Sequence, residues 1–202
     1  MPPPSNAALL PGFDDYTGEA NAVFRTCLDA LSRPGKIYSL DLNSTAPDPL
    51  SPAAAAVLLA LADFETTCWL DPVLAEKDDI RLFLQFHTGA RLTDAANEAD
   101  FAVIADVAAM PDSRAFKTGT PEFPDRSTTL ILQVDELAAT GLRFSGPGID
   151  GETSFSCDPM PADFAEQLGE NRSTFPCGVD LMFVTSNEIA ALPRSVTLIS
   201  EA

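Results

Sequence analysis

The sequence is poor in histidine and in basic residues, and both shortages exclude classes of protein. Its 202 residues contain one histidine, and 12 Lys plus Arg stand against 30 Asp plus Glu, which gives a formal net charge of −18. A surface that negative repels nucleic-acid backbones and anionic lipid surfaces, so we expect neither to be a partner. A single histidine also excludes a metal site built from several histidines, and no metal is expected.

Long apolar runs and paired cysteine motifs are missing as well. The longest apolar run, Ala53–Ala62, is about half as long as a membrane span. The N-terminus lacks the basic and apolar regions of a secretory signal. The four cysteines lie far apart and form no CxxC motif, which is typical of reduced thiols. We therefore expect a cytoplasmic protein.

The composition that remains is that of a globular chain. With 46% hydrophobic and 21% charged residues, the chain is long enough to bury a core without disulfides or metals. The proline-rich residues 1–12 predict a flexible N-terminal arm. Residues 13–202 predict a single α/β domain.

Hydrophobic periodicity predicts helices mostly in the first third and strands mostly in the second half. Helices are predicted over Glu19–Leu31, from Ser51 to Ala62 and over Pro161–Asn171, whereas Ile80–His87 is compatible with either helix or strand. Strands are predicted over six runs: Lys36–Leu40, Phe101–Ala105, Thr129–Val134, Leu142–Ser145, Val179–Thr185 and Ser195–Ile199. Without regular βα alternation, the order fits a mixed α/β protein and neither a TIM barrel nor a plain Rossmann domain.

One glycine motif imitates a dinucleotide-binding loop. Gly146–Gly151 matches G-x-G-x-x-G and follows a predicted strand. Pro147 has no N–H to offer a pyrophosphate, and the residues after Gly151 lack a helical period. The motif therefore predicts a structural turn.

Candidates for acid–base chemistry are few, and two interpretations of each stay open. His87 could serve as the base of a triad with Ser127, or it could hydrogen-bond at the end of its own element. Asp63 and Glu65 could act as an acid–base pair, or they could face water where a helix ends. The residues alone leave the catalytic groups unknown.

Because Lys and Arg residues are few, their positions indicate where an anionic ligand could bind. Five cations are predicted near turns or helix ends: Arg25, Arg33, Lys117, Arg126 and Arg194. Arginine presents a planar fork to phosphate, so an anionic ligand would use some of them. The lysines are Lys36, Lys77 and Lys117, and none lies in a recognisable pyridoxal-phosphate loop.

An ordered series of short motifs runs from about Phe13 to Val196. Its members are Phe24-Arg25, Ser32–Gly35, Leu58–Thr66, Phe86–Ala90, Ala99–Ala102, Gly119-Thr120, Ser127–Leu130, Gly146–Ile149, Phe175–Leu181 and Leu192–Arg194. Each motif is weak alone, but the ordered set is specific. It resembles the PhnH family of subunits of the bacterial carbon–phosphorus lyase system.

The resemblance implies a fold and an assembly. The fold is a three-layer α/β arrangement around a mixed sheet, similar to the large domain of pyridoxal-phosphate-dependent transferases but without that cofactor. Members of the family form homodimers and act with companion subunits PhnG, PhnI, PhnJ and PhnL.

The resemblance also implies a role in phosphonate use. The family supports transfer of ribose triphosphate from ATP to a phosphonate, with release of adenine, and an isolated chain is expected to be inactive. One alternative is a structural assembly subunit of the core complex with no ligand site of its own. Another is an independent enzyme that uses Asp63, Glu65 or His87.

Under the first of these hypotheses, loop residues supply donors to an anionic substrate. His87, Thr88, Gly119 and Thr120 offer backbone and hydroxyl donors to phosphate oxygens, and Arg25 and Arg194 are the expected charge partners. Glu65 and Asp180 complete the predicted substrate-binding set, and ATP or a phosphonate is the expected ligand.

Overall fold

The computed structural model describes residues 10–42 and 44–199. The helices are α1 (Tyr16–Ser32), α2 (Pro52–Leu61), α3 (Pro72–Ala75), α4 (Asp78–Thr88) and α5 (Phe164–Ser173). The strands are β1 (Tyr38–Ser39), β2 (Thr67–Leu70), β3 (Arg91–Thr93), β4 (Phe101–Ile104), β5 (Thr129–Gln133), β6 (Glu136–Ser145), β7 (Thr153–Asp158), β8 (Asp180–Val184), β9 (Glu188–Leu192) and β10 (Thr197–Leu198). Within this part of the chain, every helix is too short or too polar to cross a membrane.

A seven-stranded mixed sheet forms the centre of the fold. Its strand order is β1-β9-β8-β5-β4-β2-β3. Strands β3, β2, β4, β5 and β8 pair in parallel, whereas β9 runs antiparallel to both of its neighbours. The amino ends of the five parallel strands therefore share one edge of the sheet and their carboxyl ends the opposite edge.

Two apolar cores cover the two faces of this sheet. Strand residues alternate between them, so that Val103 joins the core under α1–α4, while Ala102 and Ile104 join the core on the other face. The second core is closed by α5 and by a small antiparallel sheet of order β10-β6-β7. A mixed sheet buried on both faces explains why its central strands are short, continuous apolar runs.

Local sequence fixes the ends of the helices on the first face. The Ser51 hydroxyl accepts the Ala54 N–H at 3.1 Å and Pro52 occupies the first helical position, so α2 begins where the sequence predicts. Residues Ala53–Leu59 are all buried, because small side chains let α2 approach α1 and the sheet closely. Gly89 ends α4 with a φ of +71°, a conformation that glycine adopts without strain.

The structure confirms the mixed α/β class and resolves the ambiguous run. Ile80–His87 is helical and forms most of α4, because Ile80, Phe83 and Leu84 face the core at helical spacing. The short strands β2, β3, β7 and β9 lacked a predicted counterpart. Three of the six predicted strand runs match β4, β5 and β8 to within one residue at each end, two runs (Lys36–Leu40 and Ser195–Ile199) contain the shorter β1 and β10, and Leu142–Ser145 is the last part of the longer β6.

The glycine motif is a turn, as predicted. Gly146–Gly151 connects β6 to β7, and the Ile149 N–H donates to the Gly146 carbonyl at 3.1 Å. A Cβ on Gly148 would lie 2.1 Å from the Ser32 carbonyl oxygen, so this turn packs against the end of α1. A strand and not a helix follows, which leaves no helix N-terminus for a pyrophosphate.

The predicted N-terminal arm falls largely on residues 1–9, which lie outside the described residues. Within the described part, Leu10 packs against the first core. Its carbonyl oxygen accepts a hydrogen bond from the His87 Nε2–H at 2.9 Å. Gly12 forms an isolated antiparallel bridge with Thr45. Residues 10–12 therefore lie on the body of the protein.

Candidate functional site

The carboxyl edge of the main sheet opens into a crevice of about 510 Å³. Ligands of open α/β sheets commonly bind at this edge. The crevice is lined by Pro49, Ser51, Val73, Ala105, Gln133, Val134, Asp135, Val184, Thr185 and Ser186. Asp135 is the only ionisable group in this lining, so the crevice offers no cation to an anionic ligand.

The amino edge of the sheet carries a polar network between neighbouring strands. Asp100, just before β4, accepts the Thr67 backbone N–H at 2.9 Å and pairs with the Lys117 ammonium. Arg91, at the start of β3, donates from Nη2 to the Thr67 hydroxyl oxygen at 3.2 Å. We call Thr67, Arg91, Asp100 and Lys117 the amino-edge cluster. It brings two of the chain's twelve cations to one partly open surface.

Lys117 is held in this cluster by the loop that follows it. The Thr128 hydroxyl accepts the Lys117 backbone N–H at 3.1 Å and donates to the Ala99 carbonyl at 2.6 Å. The Thr128 N–H donates to the Lys117 carbonyl at 2.7 Å. Thr128 is fully buried, so it fixes the base of the 117–128 loop against the strand ends.

A second ion pair lies farther along the same edge. Asp180 begins β8 and Arg194 follows β9, and their side chains are 20% and 14% exposed. Arg194 donates from Nε to Asp180 Oδ1 at 3.0 Å and pairs a second time through Nη2 and Oδ2. Its Nη1 donates to the Pro124 carbonyl at 2.6 Å. The pair therefore ties the β8–β9 hairpin to the 117–128 loop.

The predicted site residues fall into three groups. Gly119, Thr120, Asp180 and Arg194 come together around the 117–128 loop. Glu65, His87 and Thr88 lie near the end of α4, and Arg25 lies alone on the exposed face of α1. The structure does not bring the eight residues into one pocket.

Most donors expected for phosphate are used inside the protein. In the loop group, the Thr120 N–H donates to the Phe123 carbonyl at 3.2 Å, and its hydroxyl accepts the Phe123 N–H at 3.2 Å. Near α4, the Thr88 hydroxyl donates to the Leu84 carbonyl at 2.7 Å and accepts the Ala90 N–H at 3.0 Å. These hydrogen bonds close local turns and use the Thr120 N–H and the Thr88 hydroxyl proton as donors inside the protein.

The charged residues of the predicted set differ in how far their side chains are engaged in contacts within the protein. Arg194 is paired, as described, whereas Arg25 is exposed and donates from Nε to the Asn21 amide oxygen at 2.9 Å. Glu65 is also exposed, and its backbone N–H donates to Asp63 Oδ1 at 2.9 Å. Asp63 and Glu65 thus face water where α2 ends, as one of the two open interpretations holds.

Sequence reasoning missed Arg91, Asp100 and Thr67. Each lies at or just before the amino end of a parallel strand, but β2 and β3 were not predicted, so their common edge was not visible. Lys117 and Arg126 were recognised as cations near turns, without partners. The Arg126 guanidinium lies 4.6 Å from the centre of the Phe123 ring in the same loop.

Fold and edge chemistry together define a mixed α/β protein that gathers cations at the amino edge of its sheet. The model of the family described as bacterial phosphonate metabolism protein (PhnH) matches residues 11–199. The chain belongs to the PhnH family.

Two relatives have names that state a function. A protein of Rhizobium meliloti (strain 1021), the alpha-D-ribose 1-methylphosphonate 5-triphosphate synthase subunit PhnH, is 38% identical over 187 residues, which is 92% of this chain and 93% of the relative. The "putative C-P lyase subunit protein HtxG" of Stutzerimonas stutzeri is 31% identical over 175 residues, which is 85% of this chain and 82% of the relative. Both alignments span most of this chain.

Proposed function

We propose that this chain is the PhnH subunit of an alpha-D-ribose 1-methylphosphonate 5-triphosphate synthase in phosphonate metabolism. The observation that carries the proposal is the 38% identity to the Rhizobium meliloti subunit over nearly the full length of both chains. The relative is called a subunit, so the chain acts with other Phn subunits, for which we propose PhnG, PhnI, PhnJ and PhnL. We further propose a cytoplasmic homodimer in which residues 13–202 form one domain.

The reaction is a transfer at the ribose C1 of ATP. A phosphonate oxygen bonds to C1 as the bond from C1 to adenine breaks, and adenine takes up a proton as it leaves. Both substrates are anions, so the complex must provide cations. On this chain the amino-edge cluster is the best-supported place, because Arg91 and Lys117 flank Asp100 and Thr67 there.

The remaining predicted residues have supporting parts in this proposal. Gly119, Thr120, Asp180 and Arg194 shape and anchor the 117–128 loop, which carries Lys117 and Arg126. Arg194 is a positioning residue, because its guanidinium donates hydrogen bonds to the Asp180 carboxylate and the Pro124 carbonyl. Glu65, His87, Thr88 and Arg25 lie outside the cluster and are assigned no contact with the triphosphate.

We propose that the main sheet has the fold of the large domain of pyridoxal-phosphate-dependent transferases. Its seven strands, with β9 alone opposed to the direction of the others, support this relationship. The residues do not fit the cofactor. The lysines are Lys36, Lys77 and Lys117, and none lines the carboxyl-edge crevice. Lys117 instead pairs with Asp100 at the opposite edge.

A reconstitution assay tests the function. The chain is combined with purified PhnG, PhnI and PhnL, then given ATP and methylphosphonate, and adenine release is measured. We expect release that depends on this chain and falls at least tenfold in Arg91→Ala and Lys117→Ala, with assembly unchanged. An Arg143→Ala variant, which removes an exposed cation of the small sheet, serves as the control and keeps full activity.

An assembly role is the second candidate function, because the His87 Nε2–H, the Thr88 hydroxyl, the Thr120 backbone N–H and the Arg194 guanidinium all donate within the protein. If adenine release requires the chain but is unaffected by Arg91→Ala and Lys117→Ala, the assembly role replaces the anion-binding one. Adenine release that is independent of the chain rejects both. Release by the isolated chain would instead favour an independent enzyme using Asp63, Glu65 or His87.

A further inference from the structure

Helix α4 exposes two large apolar side chains on the face opposite to its core contacts. Ile80, Phe83 and Leu84 are buried, whereas Leu82 is 43% and Phe86 75% exposed. Leu82 and Phe86 are four residues apart, so they lie next to each other on the helix surface. This face of α4 has no cover within the described residues.

Phe64 extends the same surface. It is 73% exposed and lies in the loop between α2 and β2. A Cβ on Gly89 would lie 3.5 Å from the Phe64 Cβ, so Phe64 lies beside the residue that ends α4, three positions after Phe86. We call Leu82, Phe86 and Phe64 the α4 patch. Together they expose roughly 350 Å² of apolar surface, which is within the size range of functional patches on single proteins.

Phe86, one member of the patch, already has a ring contact within the chain. The Phe86 ring packs edge-on against His87, with ring centres 5.0 Å apart. His87 in turn donates to the Leu10 carbonyl and packs against the buried Phe83. A side chain already restrained loses little conformational entropy when it is covered, which favours binding.

Carboxylates border the patch on the Phe64 side. Asp63 and Glu65 flank Phe64, both are exposed, and neither takes part in any ion pair among residues 10–42 and 44–199. Arg81 is the only Lys or Arg within α4. An opposing surface with lysines or arginines around an apolar centre would match this border, whereas a second copy meeting it patch to patch would bring the same carboxylates against it.

We propose that the α4 patch docks a companion subunit that presents an apolar pocket bordered by Lys and Arg. This inference rests on the proposed function, because it takes the companion from the same synthase. Phe64 and Phe86 would form the buried centre of the contact, and the carboxylates of Asp63 and Glu65 would form its charged edge. The site lies on the helical face of the sheet, away from the small antiparallel sheet and α5.

Assembly of matched variants tests the docking surface. The affinity of the chain for the purified companion subunits PhnG, PhnI and PhnJ is measured by interferometry for Phe86→Ser and Phe64→Ser. The control is Phe24→Ser, a helical phenylalanine on α1 that is 41% exposed. We expect at least tenfold weaker binding for the two patch variants and less than a twofold change for the control.

A second pair of variants tests the charged edge. Glu65→Lys is expected to weaken binding severalfold at low salt and less at 0.5 M NaCl, because screening removes the charge contribution. Glu166→Lys, an exposed acid on α5, is the control and changes binding less than twofold. Circular dichroism verifies the helix content of each variant, and Phe64→Ser, which lies in a loop, keeps the test valid if Phe86→Ser unfolds.

The outcomes separate the two proposals. If the wild type assembles and the patch variants bind as tightly as the wild type or no more weakly than Phe24→Ser, the docking surface is wrong and the proposed function stands. If the patch variants change the mass of the isolated chain in light scattering, the patch joins two copies and the companion is ruled out as its occupant. If the wild type neither binds the companions nor supports adenine release, the proposed function itself fails.

Discussion

The Asp180–Arg194 pair is the least solvent-exposed ion pair among the described residues. Its contribution to the free energy of unfolding depends on that burial. Two partly buried charges have little water to replace a lost partner. We expect Asp180→Ala to lower the free energy of unfolding by about 3 kcal/mol, because it leaves the Arg194 guanidinium without its carboxylate. Urea denaturation followed by circular dichroism measures the change.

An exposed pair of the same type provides the control for this prediction. Arg33 and Asp29 lie one turn apart at the end of α1 and are 54% and 53% exposed. Arg33→Ala should leave the free energy of unfolding almost unchanged, because water screens such a pair. Equal losses in the two variants would show that the Asp180–Arg194 pair does not anchor the hairpin.

The four cysteines divide by environment into three inert thiols and one accessible thiol. Burial raises the pKa of Cys27, Cys68 and Cys157 to about 12, and the Asp100 and Asp158 charges add to the effect at Cys68 and Cys157. Cys177 is partly exposed. Because the thiolate is the reactive form, we expect native protein at pH 8 to react with one equivalent of Ellman's reagent.

Denaturation and substitution check that assignment. In guanidinium the number of reactive thiols should rise from one to four, since unfolding removes the burial that raises the three pKa values. Cys177→Ser should abolish the native reaction and leave three thiols after unfolding. Rapid native labelling of more than one thiol would contradict the burial of Cys27, Cys68 or Cys157.

Single residues were easier to select from the sequence than to pair. Scarcity pointed to Arg194 and Lys117 as informative cations, but each partner, Asp180 or Asp100, lies on another strand and is one of 30 acidic residues. One of the two interpretations of His87 was a hydrogen bond at the end of its own element, and the partner that the structure gives it, the Leu10 carbonyl, is 77 positions away. Pairings across such distances depend on topology, which periodicity does not contain.

At the scale of elements, α2 shows how local signals and burial combine. The Ser51 side chain caps a helix whose alanines are buried in the core. Loss of the cap therefore weakens the packing of the core as well as the start of the helix. We expect Ser51→Ala to lower the free energy of unfolding by about 1 kcal/mol, because the Ala54 N–H loses its acceptor. Urea denaturation measures it.

Threonine is the matched replacement at this position. Ser51→Thr keeps the hydroxyl acceptor and should recover most of the stability lost in Ser51→Ala. Equal stability of Ser51→Ala and wild type would mean that the backbone contact from Ser51 N to Gln133 Oε1, at 2.7 Å, holds this end of the helix without the cap.

Elements with strong local signals were predicted, and elements defined by their neighbours were not. Helix α1 has regular apolar spacing and α2 is apolar nearly throughout, and β5 and β8 contain three and four consecutive apolar residues, Leu130–Leu132 and Leu181–Val184. In contrast, β2 and β3, which were not predicted, have four and three residues. Such strands exist because a paired neighbour supplies their hydrogen bonds, so too little of their own sequence marks them.

The acidity of the whole molecule affects its stability as well as its partners. A net charge of −18 places many carboxylates close together on the surface, and their mutual repulsion favours the unfolded chain. Added salt shortens the screening length from about 30 Å at 0.01 M to about 8 Å at 0.15 M. We expect the Tm to rise by roughly 3 °C between 0.01 and 0.3 M NaCl, as about 1 kcal/mol of repulsion is removed.

Differential scanning fluorimetry in two salts checks the origin of this effect. NaCl and KCl should raise the Tm equally, because screening depends on ionic strength and not on the identity of the cation. A Tm that falls with salt would show that the ion pairs stabilise the fold more than the excess of like charges destabilises it. A rise with one cation only would indicate specific ion binding.

At this scale the family resemblance supplied what residue patterns could not. Composition and periodicity reached a mixed α/β domain, and the ordered motifs placed the chain in the PhnH family, to which it belongs. Neither predicted that Arg91 and Lys117 would meet at the amino edge while a crevice opens at the carboxyl edge. That separation follows from the strand order, through which Asp100, Thr67 and Arg91 become neighbours.

The position of His87 gives this protein a built-in spectroscopic reporter. With one histidine in the sequence, a proton NMR spectrum contains a single imidazole Hε1 resonance, which needs no isotope labelling to assign. The ring lies 4.5 Å from Phe83 and 5.0 Å from Phe86, centre to centre, so aromatic ring currents displace that resonance. Lifting the Leu10 segment away, or covering Phe86, would each move the same isolated signal.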